Sequence, residues 1–262
     1  VIIFREDLYG MDILVKKKYR TKKNRGLERC VLVRYMNNNG YSKEEIISSL
    51  KKMSHSENPY LSKENREKIF NKIYDKALNY EYIKEKEVTI YKDEINKILE
   101  VQDKNARNLL FINLVYYKWG KTINYYKFYS KNLNKVCVKC QDKDILSLSK
   151  LDIKSSRQKS LLFNYLIKNG LYKTTSFKNT EYFYIPFAQE NGEVAFVIDN
   201  FDDLILWMYS YLEPLKYKKC EECGRWIKKT TGSKKYCASC AKYISNQQKK
   251  MRKVQSPANP LK

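Results

Sequence analysis

Between Leu27 and Tyr80, apolar residues recur every three or four positions in three blocks separated by turn signals, which predicts three amphipathic helices. The first block, Leu27–Asn37, stops at Asn37-Asn38-Asn39-Gly40. Glycine accepts the left-handed backbone that commonly closes a helix, so the block ends there. Ser42, with Glu45 three residues later, makes a capping box for a second helix running to about Met53. Ser56–Pro59 breaks the chain. Ser62 then caps Lys63–Asn79, with Ile69, Ile73, Ala77 and Tyr80 along one face. Upstream, VIIF opens the chain as a short strand-like run, and the residues after it lead into a basic stretch, so residues 1–26 read as an exposed arm or linker.

Downstream the period changes. Asp93–Leu99 and Asp103–Trp119 read as helices, the latter ended by Gly120, and Val136–Lys139 alternates like a strand. From Asp144 to Phe187 the pattern is helix, turn, helix and hairpin. Ile145, Leu148 and Leu151 mark the first helix, and Asp152–Ser155 the turn. Ser156–Lys168 is the second helix, closed by Asn169-Gly170, and TSFKNTEYFYIPF alternates as two strands. This order predicts a winged helix, in which the second helix enters the major groove of DNA. Arg157, Gln158 and Lys159 would then meet DNA, with Lys154 and Lys178 nearby; the competing reading is a mixed core whose polar residues are solvated. Asp202–Leu212 is a strongly apolar helix stopped by Pro214. The expected class is α+β, mostly helical. The expected domains are an arm (1–26), a helical domain (27–84), a winged-helix-like domain (85–213), a small C-terminal module (214–254) and a tail (255–262).

Composition narrows the partners. Apolar residues make up 43% of the 262-residue chain, which argues against wholesale disorder. No apolar run approaches the length of a membrane span, and no secretory signal pattern opens the chain. The net charge is +23. Abundant Lys, Asn, Ile and Tyr suit an AT-rich genome, but such a bias does not cluster lysine. Here it clusters: residues 16–29 hold eight Lys/Arg against one Glu, and residues 214–262 hold fourteen against two. A field of this kind favours polyanions through counterion release, so nucleic acid, DNA in particular, is the expected partner and a membrane is not.

Candidate chemistry concentrates in KKCEECGRWIKKTTGSKKYCASCAKY. Cys220/Cys223 and Cys237/Cys240 are two Cys-x-x-Cys pairs separated by thirteen residues. Four thiolates in two chelating pairs suit the tetrahedral preference of Zn²⁺, with no position left open for catalysis. Cysteines spaced for metal rather than for disulfides point to the cytoplasm. Gly224 follows the first pair where a knuckle needs positive φ. Trp226 and Ile227 begin a strand, Thr231-Gly232-Ser233 turns, and Lys234–Tyr236 leads back to Cys237. ASCAKYISNQQKKMRK reads as a helix with Cys240 in its first turn. Cys220, Cys223, Gly224, Arg225, Trp226, Tyr236, Cys237, Cys240 and a basic helix with Lys249, Lys250, Arg252 and Lys253 together resemble the CGNR-type zinc finger of bacterial transcription regulators. The resemblance implies a treble-clef fold and DNA contact, although Ala241-Lys242-Tyr243 follows Cys240 in place of the name motif. Arg225, Lys228, Lys229, Lys234 and Lys235 join the helix residues as candidate nucleic-acid contacts.

Leu32-Val33-x-Tyr35-Met36, Gly40-Tyr41-Ser42-x-Glu44-Glu45-Ile46 and the Asn58-Pro59 loop resemble the primase C-terminal domain of plasmid and phage replication proteins. Where such modules often carry Trp-Asn, this chain has Lys52-Met53-Ser54-His55. Cys137 and Cys140 supply half of a tetrahedral site. Tyr116, Tyr117 and Trp119, followed by Tyr125–Tyr129, interleave aromatics with lysine, as single-strand binders do and as cores do. A Walker A loop and a Gly-rich dinucleotide turn are absent, and His55 has no evident partner, so no enzyme is expected. Asp199, Asp202 and Asp203 are read as helix caps rather than Mg²⁺ ligands. The sequence thus leads to a zinc protein that binds DNA in the regulation or replication of a phage, plasmid or mobile element. The alternative is a factor whose zinc module docks on a host or replication protein.

Overall fold

Tyr9 and Ile13 stand one helical turn apart, and with Gly10 and the half-buried Leu14 they form the inward face of helix α1, Glu6–Lys16, while Leu8, Met11 and Val15 stay exposed. This corrects the expected arm: residues 6–16 form a helix with a buried face, and only the basic run after it carries the charge of an arm. The structure, a computed structural model, describes residues 5–19, 25–54, 62–79, 82–83, 87–122, 138–139, 143–151, 155–177, 180–230 and 234–255. The chain divides into two units, Val1–Lys86 with Thr122–Tyr125, and Glu87–Lys121 with Tyr126–Lys262. The VIIF run, the Ser56–Pro59 break, Tyr125–Tyr129, Cys137, Cys140, Lys154, Lys178 and the Thr231–Ser233 turn lie outside the described residues.

In the first unit α2 (Arg25–Asn38) is central. Val31, Leu32, Val33 and Met36 are all buried, so apolar surface is presented around most of the helix to α1, α3 (Lys43–Ser54) and α4 (Lys63–Leu78). Gly10 lets α1 approach α2 closely: a Cβ there would lie 2.4 Å from Cβ of Tyr35. Gly40, at φ 80°, turns the chain into α3, where the backbone N–H of Ser42 donates to Glu45 and the N–H of Glu45 donates to Oγ of Ser42. Ser62 caps α4 by accepting from the N–H of Asn65.

A polar cluster runs through this core. The Arg34 guanidinium donates to both carboxylate oxygens of Glu6, Nε at 2.8 Å, and the Tyr9 hydroxyl donates to Glu28 at 2.7 Å. Removing one member of a buried pair strands the other charge, at a cost of about 3–5 kcal/mol. Glu6→Ala is therefore expected to lower the first unit's stability by about that amount, and Glu6→Leu with Arg34→Met to recover most of it; urea unfolding of the three proteins checks this. The Tyr82 hydroxyl is pushed up to about 12 by burial and by the carboxylates of Asp7 and Glu6. Between pH 10 and 12 the unfolded chain loses this proton and the folded chain keeps it, so folding weakens as pH rises across that window. Tyr82→Phe should remove that share of the slope, measured as urea midpoints against pH.

In the second unit β1 (Val88–Tyr91) pairs antiparallel with β5 (Val194–Ile198), and α5 (Lys92–Leu99) follows β1 directly. Glu94 on α5 accepts from Nζ of Lys118 at 2.7 Å and from the backbone N–H of Gln189 at 2.7 Å, tying three segments together. Helix α6 (Lys104–Thr122) runs past Gly120, where the sequence suggested its end. Leu109–Ile112, Leu114, Val115 and Trp119 are buried, and packing on most sides carries the helix through a residue that only weakly disfavours it.

Strand β2 (Val138–Lys139), α7 (Lys143–Leu148), α8 (Ser156–Lys168), β3 (Lys173–Phe177) and β4 (Thr180–Tyr184) come next. The sheet order is β2-β4-β3, all antiparallel. Tyr172 stacks on Phe183 with ring centroids 4.4 Å apart, Phe163 of α8 packs against both, and Nδ2 of Asn113 on α6 donates to the Tyr172 hydroxyl at 2.5 Å. Helix α9 (Ile205–Leu212) and a 3-10 turn (Pro214–Lys216) lead to the cysteine region, where β6 (Tyr217–Lys219) pairs with β7 (Trp226–Lys228) and α10 (Ala238–Gln255) ends the described chain. Mostly helical architecture with few, short, antiparallel strands is what the structure shows. Among the described residues no helix is long and apolar enough to cross a membrane.

Candidate metal centre and basic surfaces

The first cysteine pair sits at the tip of the β6–β7 hairpin. The sequence pattern predicts a hairpin from Trp226-Ile227 through a turn at Thr231–Ser233 to Lys234–Tyr236; the observed partner of β7 is instead the strand before Cys220. Tyr217 and Ile227 supply that strand pair with buried side chains, a signal hidden by the lysines around them. Cys220 donates its N–H to the carbonyl of Arg225 at 2.7 Å and accepts at its own carbonyl from Gly224 at 2.9 Å. Gly224, at φ 68°, permits this knuckle. The second pair opens α10, with the N–H of Ala241 donating to the Cys237 carbonyl at 2.9 Å, which puts Cys240 in the first helical turn.

These two turns bring four sulfurs together. All four Sγ atoms lie within 4.8 Å of one another, and those of Cys223 and Cys237 are 3.8 Å apart. Tetrahedral coordination at about 2.3 Å per metal–sulfur bond implies sulfur separations of about 3.8 Å. Backbone N–H groups already point at the sulfurs: that of Cys237 donates to Sγ of Cys220 at 3.3 Å, and that of Cys240 to Sγ of Cys237 at 3.5 Å. Burial pushes the Cys237 thiol up, but the Ser239 hydroxyl and the Cys240 N–H outweigh it and bring the group down to about 6. Cys240, holding a proton against Cys237 and its sulfur neighbours, is pushed up to about 12. Burial likewise raises Cys220, yet the N–H groups of Cys237, Cys223 and Glu222 carry it below the usual thiol value. The cluster could hold a metal ion, and all four tetrahedral positions would be filled by protein.

Among the described residues, few others surround the cysteines. Cys220, Ile227 and Cys237 form the buried centre, with Cys223, Tyr236 and Cys240 packed against it. The module is fastened through β7: Trp226 meets Trp207 of α9 edge-on, with centroids 5.7 Å apart, and Trp207 stacks on Phe196 of β5. Nζ of Lys219 lies 5.3 Å from the Trp207 ring and 5.7 Å from the Trp226 ring, a cation held between two indoles. Neither contact was legible in the sequence, because the Lys219–Trp226 pairing exists only through strand register.

The candidate nucleic-acid residues separate by role. Arg225 forms an ion pair with Asp202 at 3.1 Å, which fastens the module to the turn before α9. Asp203 pairs with Lys150 at 2.8 Å, so neither aspartate caps the helix as expected. Lys228, Lys229 and Lys235 are exposed, and the half-buried Lys234 donates to the Lys228 carbonyl at 3.2 Å, so these four gather at one end of the module. Lys235 also lies 4.0 Å from Glu221. Lys249 is exposed on α10, while the side chains of Lys250, Arg252 and Lys253 lie outside the described residues. From Ala241 to Lys249 only Ile244 is even half-buried, and Tyr243 and Met251 are exposed.

On α8, Arg157 is exposed and Lys159 half-buried. Gln158 instead completes a capping box: its side chain accepts from the N–H of Ser155, whose hydroxyl accepts from the N–H of Gln158 at 3.1 Å. Comparison with protein-family models, with curated proteins and with solved structures finds no match to the chain.

Proposed function

We propose that the protein is a zinc-containing, DNA-binding factor. The observation that carries this reading is the join of a closed four-cysteine cluster to a largely exposed basic helix, α10, within a segment holding fourteen Lys/Arg against two acids. Zinc is the metal because four thiolates in tetrahedral range select Zn²⁺ or iron, and a colourless redox-inert ion suits a purely structural clip. A knuckle followed by a helix that starts at the second pair supports the treble-clef reading. The winged-helix reading for 85–213 is supported by chain order: α6, β2, α7, α8, β3 and β4, with β2 beside the last strand rather than the first of the hairpin. Phosphate contact would supply affinity and α8 the register. Regulation or replication of a mobile element is the process we assign to such a factor.

Affinity for a 30-base-pair duplex, measured by gel shift from 50 to 200 mM salt, tests this. A fall of about 10³–10⁵ is expected for six to ten phosphate contacts. No binding to duplex or single strand at 50 mM salt, with a protein partner retained through high salt and nuclease, would establish the docking alternative instead.

A further inference from the structure

Helix α8 buries Leu162, Phe163 and Leu166. At 100° per residue the line opposite them passes through Arg157, Leu161, Asn164 and Lys168, all exposed. Leu161 is 59% exposed at the middle of this line. Among the described residues, no side-chain hydrogen bond or ion pair engages Arg157, Asn164 or Lys168. The helix carries no Asp or Glu, and its basic residues flank the leucine. Exposed apolar residues occur elsewhere on this chain, Tyr165 and Ile167 of α8 among them, so the leucine matters for its neighbours: the line sets a cation at each end and an amide beside the apolar group.

The three groups do match base edges in the major groove: Arg pairs bidentately with guanine O6 and N7, Asn with adenine N6 and N7, and an aliphatic group packs on the thymine methyl. Arg157 to Asn164 spans about 10 Å along the helix, close to three base-pair steps of about 3.4 Å. We infer that this face reads sequence directly, with Arg157 on guanine, Leu161 on a thymine methyl, Asn164 on adenine and Lys168 on phosphate, the three base contacts falling within about four adjacent base pairs. The inference rests on the DNA-binding reading above and replaces Gln158 and Lys159 as base contacts, since one closes the helix cap and the other is half-buried.

The test is selection of binding sites from randomised duplex by the full chain, by Leu161→Ala and by Asn164→Ala, with far-ultraviolet dichroism and metal content confirming the fold of each. The wild-type site should then be remade with uracil at each thymine in turn. One uracil, which lacks only the methyl group, should weaken the wild type by about fourfold and leave Leu161→Ala unaffected. Asn164→Ala should lose about 5- to 150-fold of discrimination at one adenine. Binding that persists with the same selected site in both variants, or with no uracil effect in the wild type, overturns the inference and leaves the DNA-binding reading standing. Absence of any duplex binding by the wild type at 50 mM salt overturns the DNA-binding reading, and this inference with it.

Discussion

Stripping the metal is expected to unfold the region from Tyr217 to Gln255 while β1, α5, α6 and β5 keep their structure. The two strands of this module have three residues each, and among the described residues its buried side chains are Tyr217, Cys220, Ile227 and Cys237. A segment below about 40 residues rarely buries enough apolar surface to fold unaided. Structural zinc supplies about 10–16 kcal/mol of apparent binding free energy near pH 7, and in such a module that is folding free energy. Chelation should therefore abolish amide protection in α10 and change the fluorescence of Trp226, which loses its packing on Trp207. Elemental analysis should find one zinc per chain, and Cys220→Ser or Cys237→Ser should lose it. Amide protection in α10 that survives chelation would contradict this account, as would stoichiometric iron the choice of zinc. The contacts of Trp226 and Lys219 with Trp207 of α9, and of Arg225 with Asp202 before it, should not rescue the module, because they hold only β6, β7 and the first knuckle and none reaches α10.

Replacing Lys249, Lys250, Arg252 and Lys253 with alanine should flatten the salt dependence of DNA binding. Each phosphate contact contributes about 0.9 to the slope of log K against log salt, so four lost contacts make it about 3.6 shallower. Between 50 and 200 mM salt the wild type should then lose about a hundredfold more affinity than the variant. Arg225→Ala should behave differently. Its guanidinium is occupied by Asp202, so its loss should loosen the module more than it flattens the slope. An unchanged slope in the fourfold variant would remove α10 from the interface.

The four-cysteine cluster was legible because its spacing is distinctive: two residues between paired cysteines let each pair close on one point whatever surrounds them, and the structure puts the four sulfurs within 4.8 Å of one another. Helices α2, α3, α4, α5 and α8 were legible because local chemistry sets their ends, as Ser42, Ser62 and Ser155 show by accepting backbone N–H groups three residues on. The hairpin was not. Its pairing partner precedes the cysteines, and nothing in Tyr217-Lys218-Lys219 reads as a strand until Trp226-Ile227-Lys228 lies beside it. Helix α1 was hidden for a related reason, since its face needs Tyr35 and Glu28 of another helix to become a core.

Charge could be counted from the sequence but not assigned. Lysines and arginines look alike along a chain, and the fold sorts them: Arg34 goes into a buried pair with Glu6, Arg225 to Asp202 and Lys219 between two indoles, while Arg157 and Lys249 stay exposed. The sequence by itself determined what depends on near neighbours, namely the caps, the two knuckle spacings and the excess of positive charge. Only the tertiary structure decided which strand closes the hairpin, which cations are consumed internally and which line of α8 faces outward. Those outcomes depend on contacts between residues distant in the chain, whose energies exist only once packing has brought them together.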